Sequence, residues 1–206
     1  MEYLEYDALV IGSGAAGFNA ANRLIENGVL STALLTENRN FGTSRNTGSD
    51  KQTYYKLGIS GDTPDSVKLM AQELFSCGSV DGDNALCEAA LSLRCFMNLC
   101  ERGVPFPTDK YGEYVGYKTD HDKHERATSA GPLTSRFMTE ALEKRAAELD
   151  VKVLDGYLAV ELLTDETGVL GVLCVEKATG KPVGIKAGNI VLATGGPAGI
   201  YADSVY

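Results

Sequence analysis

Residues 7–11, an Asp followed by Ala-Leu-Val-Ile, run as a short apolar strand directly into Gly12-Ser13-Gly14-Ala15-Ala16-Gly17, where a helical pattern begins. A strand that breaks on G-x-G-x-x-G and opens a helix is suited to hold a diphosphate. Gly12 lets the backbone turn off the strand, Gly14 has no Cβ to block a pyrophosphate, and Gly17 lets the new helix pack closely on the sheet. The bound phosphates would meet free backbone N–H groups and the positive end of the helix. Alone, the same glycines also fit a plain turn, so the flanking residues decide. Residues 8–11 read as a buried parallel strand, residues 16–25 as a helix stopped by Asn27-Gly28, and residues 32–36 as a second strand. That strand ends on Glu37, twenty residues after Gly17. An acid at that distance accepts hydrogen bonds from ribose hydroxyls and repels a 2′-phosphate.

Composition narrows the partners. With 206 residues the chain can bury a sizeable core, and its 19 basic against 28 acidic residues give a net charge of −9. That sign disfavours nucleic acid and anionic membrane surfaces, although plain solubility explains it equally well. No apolar stretch approaches the roughly 20 residues of a membrane span, and residues 1–6 lack the basic start and apolar core of a signal peptide. The expected location is therefore the cytoplasm. Five cysteines, Cys77, Cys87, Cys95, Cys100 and Cys174, form neither a C-x-x-C pair nor a zinc pattern. They read as reduced thiols, four of them small apolar filler in a helical stretch.

Further along, residues 38–49 read as a polar loop, and helices are expected over 66–76, 84–101 and 135–149, the first entered at Asp62-Thr63-Pro64-Asp65. Residues 109–116 suggest a turn or small hairpin. The run 120–126, which holds His121 and His124, reads as a charged loop. It has metal-ligand types but no rigid frame, so no metal site is assigned. After a strand at 151–154, residues 157–163, 169–176 and 182–186 alternate as an antiparallel meander, and 190–193 read as a buried parallel strand ending on Thr194-Gly195-Gly196. The pattern is α/β: a Rossmann-like fold with a central parallel sheet, flanking helices and an antiparallel β-meander.

Four features taken together resemble the flavoprotein family of succinate dehydrogenase, fumarate reductase and L-aspartate oxidase. They are the Gly12–Gly17 turn with Ala21, Glu37 after the second strand, the Ser44-Arg45-Asn46-Thr47-Gly48 loop, and residues 191–196 around Thr194-Gly195-Gly196. The resemblance covers essentially the whole chain and implies FAD rather than NAD. By similarity Gly12, Ser13, Gly14, Ala15, Ala16 and Gly17 take the diphosphate and Glu37 the ribose. Ala159 matches the adenine-recognising position, which on residues alone is equally an ordinary strand alanine. Ala193, Thr194 and Gly195 match a second contact near the adenosine half, where a mere turn is the alternative. Ser44, Asn46, Thr47 and Gly48 belong to the loop that approaches the flavin.

Two departures from the family pattern matter. Where membrane-bound succinate dehydrogenases carry a histidine bonded to the flavin, this chain has Asn46, and an amide cannot form that link; a noncovalent FAD is expected. The family's following Gly-Gly is replaced by Gln52-Thr53, with Lys51 either solvated or placed to stabilise an anionic reduced flavin. Ser129, Thr134 and the Gly131-Pro132 turn could approach the flavin without an assignable role. The resemblance further implies that residues 1–206 form the N-terminal part of an FAD-binding domain, with the capping domain and the proton-delivering arginine lying beyond it. No catalytic residue is assigned. The expected activity is hydride transfer through flavin N5 with a small dicarboxylate-like substrate and an electron-transfer partner. The alternatives are a cofactor-binding piece without turnover and an NAD-binding dehydrogenase domain.

Overall fold

The computed structural model describes residues 2–59, 63–119, 122–196 and 198–203. In chain order the elements are β1 (Glu2–Ile11), α1 (Ala15–Glu26), β2 (Thr32–Thr36), a short α2 (Thr43–Asn46), β3 (Tyr54–Tyr55), α3 (Val67–Ser76) and α4 (Gly82–Glu101). They continue with β4 (Tyr117–Thr119), β5 (Asp122–Thr128), α5 (Thr134–Glu148), β6 (Lys152–Asp155), β7 (Tyr157–Asp165), β8 (Gly168–Glu176) and β9 (Lys181–Leu192). The chain divides into two compact units, Met1–Thr47 with Leu142–Tyr206, and Gly48–Ala141.

The first unit is built on a six-stranded sheet of order β6-β2-β1-β9-β8-β7, parallel from β6 through β9 and antiparallel from β9 to β7. All five residues of β2 are buried, as a central parallel strand requires when both faces are covered. Leu9, Ile11, Leu35, Leu154, Val172 and Ile185 pack as one core on one face of the sheet. On α1, Phe18 and Ala21 are fully buried, and Asn22 donates from Nδ2 to the Leu142 carbonyl of α5 at 2.9 Å. The bond pins two helices and satisfies the donor half of a buried amide, whose Oδ1 makes no hydrogen bond.

Two strands differ from the sequence expectation. β1 begins six residues before its apolar run, because residues 2–6 pair with residues 183–187 of β9, and residues 3–7 alternate in exposure. Residues 182–186 and 190–193 are not separate strands: β9 is continuous across Ala187, Gly188 and Asn189, and pairs with β8 on one side and β1 on the other. Its end is also not fully buried, since Leu192 is 60 % exposed.

In the second unit β5 pairs antiparallel with β3 and β4. Ser66 caps α3 by accepting from the Leu69 N–H at 3.2 Å, and Asp81 caps α4 by accepting from Asn84 N–H at 3.0 Å. The cap expected around Asp65 thus falls one residue later, and Asp62 lies outside the described residues. Asp65 does other work.

The run 120–126 reads as a loop in the sequence, but from Asp122 onward it is strand β5, with Asp122, His124 and Arg126 buried. The period-2 signal of a strand is there with its polarity inverted: Asp122 and Arg126 point inward because hydrogen-bond partners wait for them. Arg126 is fully buried and forms a bidentate pair with Asp65, Nε to Oδ2 at 2.8 Å and Nη2 to Oδ1 at 2.7 Å. Its Nη1 also donates to Glu73 and, at 3.1 Å, to the Tyr55 hydroxyl. Burial alone would push the Asp65 carboxyl up, yet the hydrogen bonds from Arg126, Gly58 N–H and Ser66 N–H outweigh it and hold the group at about 2. His124 is also buried, with Nε2 3.6 Å from Glu73 Oε1; His121 lies outside the described residues.

Lys56 presents the opposite case. Its side chain is fully buried, its Nζ makes no hydrogen bond and lies 5.0 Å from the centre of the Phe96 ring. Burial pushes its amine down from the ordinary lysine value. A cation–π contact offsets only part of the desolvation of an ammonium. Lys56→Met should therefore stabilise the second unit by about 1–2 kcal/mol at neutral pH. Because the folded-state value is depressed, the penalty is full below it and fades as pH rises toward the unfolded value. Paired denaturant titrations at neutral and alkaline pH should show the advantage of the variant shrinking.

The cysteines depart from expectation. All five are free thiols, but Cys77, Cys87 and Cys95 are exposed, Cys100 is half-buried, and only Cys174 sits in a core. Helical spacing locates the first four along α3 and α4 without telling which face they take.

Candidate functional site

The carboxyl ends of β1, β2 and β9 and the start of β7 surround a cleft of about 720 Å³ in the first unit. β1 leads through α1 to β2 on one side, while β9 flanks it on the other, so the cleft opens where the strand order reverses. Open α/β sheets bind ligands at that place.

Its floor is the glycine turn. Gly12 has φ +114°, and a Cβ there would stand 2.3 Å from the Ala193 carbonyl oxygen, so the last strand can approach only a glycine. A Cβ on Gly17 would meet the Gly12 carbonyl oxygen at 1.8 Å, which locks the helix start against the turn. Gly14 differs: its φ is an ordinary −76°, and an added Cβ would touch only Ser44 Oγ, at 3.6 Å. The protein itself does not need a glycine there. The missing Cβ leaves room for something outside the chain, against the first turn of α1, which holds no acid and receives no side-chain cap. The N–H groups of that turn are donors without helical acceptors, a fit for an anionic diphosphate.

Of the residues singled out in the sequence, Gly12, Ser13, Gly14, Ala15, Ala16, Glu37, Ser44, Ala159, Ala193, Thr194 and Gly195 line this one cleft, drawn from segments far apart in the chain. Ser13 contributes backbone only. Its buried hydroxyl is shared with Thr36 Oγ1 at 2.9 Å and ties the turn to the end of β2. Gly17 stands behind the turn. Asn46 closes its own loop, donating from Nδ2 to the Asn40 and Gly42 carbonyls at 2.7 and 3.0 Å, and Thr47 Oγ1 donates to the Thr43 carbonyl at 2.7 Å. Gly48 belongs to the second unit, against Leu133 and Pro132. In that unit Gln52 Oε1 accepts from Ser135 N–H and Oγ, and Thr134 Oγ1 donates to the Gly131 carbonyl at 2.6 Å.

The sequence reading missed Phe41, Gly42 and Thr43, which also line the cleft. The stretch read as loop contains the four-residue helix α2, held by Arg45 Nη2 on Glu143 Oε2 at 2.5 Å and by Arg39 on the other oxygen. Only Gly42 gave a signal, its φ of +104° being a glycine conformation. Glu37 is not alone at the rim: Lys177 Nζ, from the turn after β8, donates to its Oε1 at 2.6 Å. Among the described residues no group of three or more His, Cys, Asp or Glu could hold a metal, and no helix is long and apolar enough to cross a membrane.

A parallel sheet with a glycine turn under a helix N-terminus and an acid at the end of the second strand defines a dinucleotide-binding α/β protein. The chain matches the FAD binding domain family over residues 7–205 and belongs to it. It is 28 % identical over 205 residues to one subunit of the fumarate reductase (CoM/CoB) of Methanothermobacter marburgensis, covering 97 % of this chain and 37 % of that protein. It is also 28 % identical over 210 residues to L-aspartate oxidase 2 of Ralstonia nicotianae, covering 96 % and 36 %. Mycobacterium smegmatis Sdh1 shares the fold with a TM-score of 0.84 at 21 % identity, over 96 % of this chain and 35 % of that one. The chain thus spans about a third of the length of the curated relatives it matches. FAD binding follows from this membership.

Proposed function

We propose that the cleft holds FAD noncovalently and that the chain is the cofactor-binding part of an oxidoreductase acting on a small dicarboxylate-like substrate. The observation that carries the reading is Gly14, a glycine the protein does not need for its own packing, set beneath uncapped N–H groups. The backbone at Gly12 to Gly17 would take the diphosphate, with Ser44 beside it, and Glu37 would accept from the ribose hydroxyls. Ala159, Ala193, Thr194 and Gly195, all small, would let the adenosine half lie against fixed backbone groups. Bound there, FAD supplies hydride exchange at N5. Asn46 has no ring nitrogen to bond a flavin, and its amide is spent on two loop carbonyls, so nothing at that position would hold the cofactor covalently. Residues 1–206 would then serve as the N-terminal part of the FAD-binding domain, in the cytoplasm, with an electron-transfer partner chain; a reductase and an oxidase among the relatives support electron exchange with a second party.

Chain reconstituted with excess FAD and freed of unbound flavin should show the flavin's visible band, and acid precipitation should release all of the colour to the supernatant. Colour remaining with the pellet would defeat the noncovalent assignment, and no band at all would defeat the site. Dye-coupled succinate oxidation or fumarate reduction then separates an enzyme from a binding piece.

A further inference from the structure

The cleft walls contain a single charged side chain among the described residues, the carboxylate of Glu37. A site that must accept a dianionic diphosphate thus presents a negative charge of its own. Against it the lining offers only neutral groups, N–H donors and hydroxyls such as that of Ser44, together with the helix end. Lys177 supplies the missing cation. Its Nζ lies 2.6 Å from Glu37 Oε1 and 5.9 Å from the centre of the Phe41 ring, and both partners line the cleft.

The placement is built by the chain rather than left to a free side chain. Lys177 begins the turn between β8 and β9, and its backbone N–H donates to the Gly156 carbonyl at 2.8 Å, next to Tyr157 of the cleft wall. The turn is closed by Thr179 and Gly180 N–H groups on the Glu176 carbonyl, and by Thr179 Oγ1 on Glu176 Oε2 at 2.6 Å. Glu37 and Lys177, 140 positions apart, are brought to one rim.

We propose that Lys177 is a positioning residue for the adenosine end of the cofactor: it holds the Glu37 carboxylate by Oε1, leaves Oε2 for the ribose hydroxyls, and cancels the acid's charge toward the diphosphate. This rests on the reading that Glu37 meets the ribose. Both side chains are near 40 % exposed, so the pair adds little to folding and its effect should be felt in binding.

The test is a set of FAD titrations of the full chain and its Lys177→Ala, Lys177→Arg, Glu37→Gln and double variants, with ADP as a displacing probe. Lys177→Ala should weaken FAD and ADP by the same factor, about tenfold, with no change in the apo-protein melting temperature. Lys177→Arg should restore affinity to within about threefold, and in the Glu37→Gln background the loss of Lys177 should cost nothing further. Wild-type affinity in Lys177→Ala overturns the proposal, as does a loss for FAD that ADP does not share. So does an undiminished loss in the Glu37→Gln background, which would make Lys177 a partner of the phosphates alone. Failure of the underlying reading looks different: Glu37→Gln itself would bind FAD as the unchanged chain does.

Discussion

Gly14→Ala is expected to fold and melt like the unchanged chain yet bind FAD at least about a hundredfold more weakly, a loss of about 2.7 kcal/mol. Its backbone is extended at negative φ, a conformation open to any residue, and its new Cβ would make only an ordinary contact with Ser44. The methyl would instead occupy the space next to the α1 donors. Gly17→Ala is the matched control with the opposite outcome. There the Cβ would strike the Gly12 carbonyl oxygen, a backbone atom that cannot rotate away. Overpacking of this kind costs about 1–3 kcal/mol in stability, and the upper part of that range is expected. Thermal melts with and without FAD separate the two variants. If Gly14→Ala keeps full affinity, the diphosphate does not sit on this turn.

Asp65→Asn should be the most destabilising single change in the second unit, by about 3–5 kcal/mol. Asp65 and Arg126 are both essentially inaccessible to water, and removing the carboxylate leaves the guanidinium with Glu73 and Tyr55 but without its bidentate partner. The same pair predicts an acid limb in stability. Because the folded-state value of Asp65 lies at about 2, below its unfolded value, its contribution is complete above the unfolded value and is lost as pH falls through the folded one. Urea titrations over pH 2–5 should show this slope in the unchanged chain and a flatter one in Asp65→Asn. Equal slopes would place the acid sensitivity elsewhere.

The sequence displayed those parts of the site whose chemistry is carried by residue type at fixed spacing. Gly12, Gly14, Gly17 and Glu37 belong to one βαβ unit, where local geometry sets both the turn and the acid, and they line or support one cleft. Ala159 and Ala193 could be named only through family resemblance, since an alanine in a strand has no signal of its own. What local reading missed was long-range pairing. β5 looks like a solvated loop because its inward residues are charged, and their partners Asp65 and Glu73 sit more than 50 positions away. Lys177 looks like one more turn lysine until β7, β8 and β9 fold it back to Glu37. The end of β9 reads as buried because it is apolar, whereas one of its faces forms the cleft wall.

β9 also governs the order in which the molecule can form. Among the described residues β1 finds a full-length neighbour only in β9, and Ala193 N–H donates to Ile11 O across a separation of about 180 residues. Pairings so distant in sequence close slowly, because a large loop must be drawn in before they are rewarded. Residues 48–141 form their own compact unit within that loop. During refolding, protection of the Arg126 network should come before the yellow colour of retained flavin, since the carbonyl that fits over Gly12 arrives only with β9.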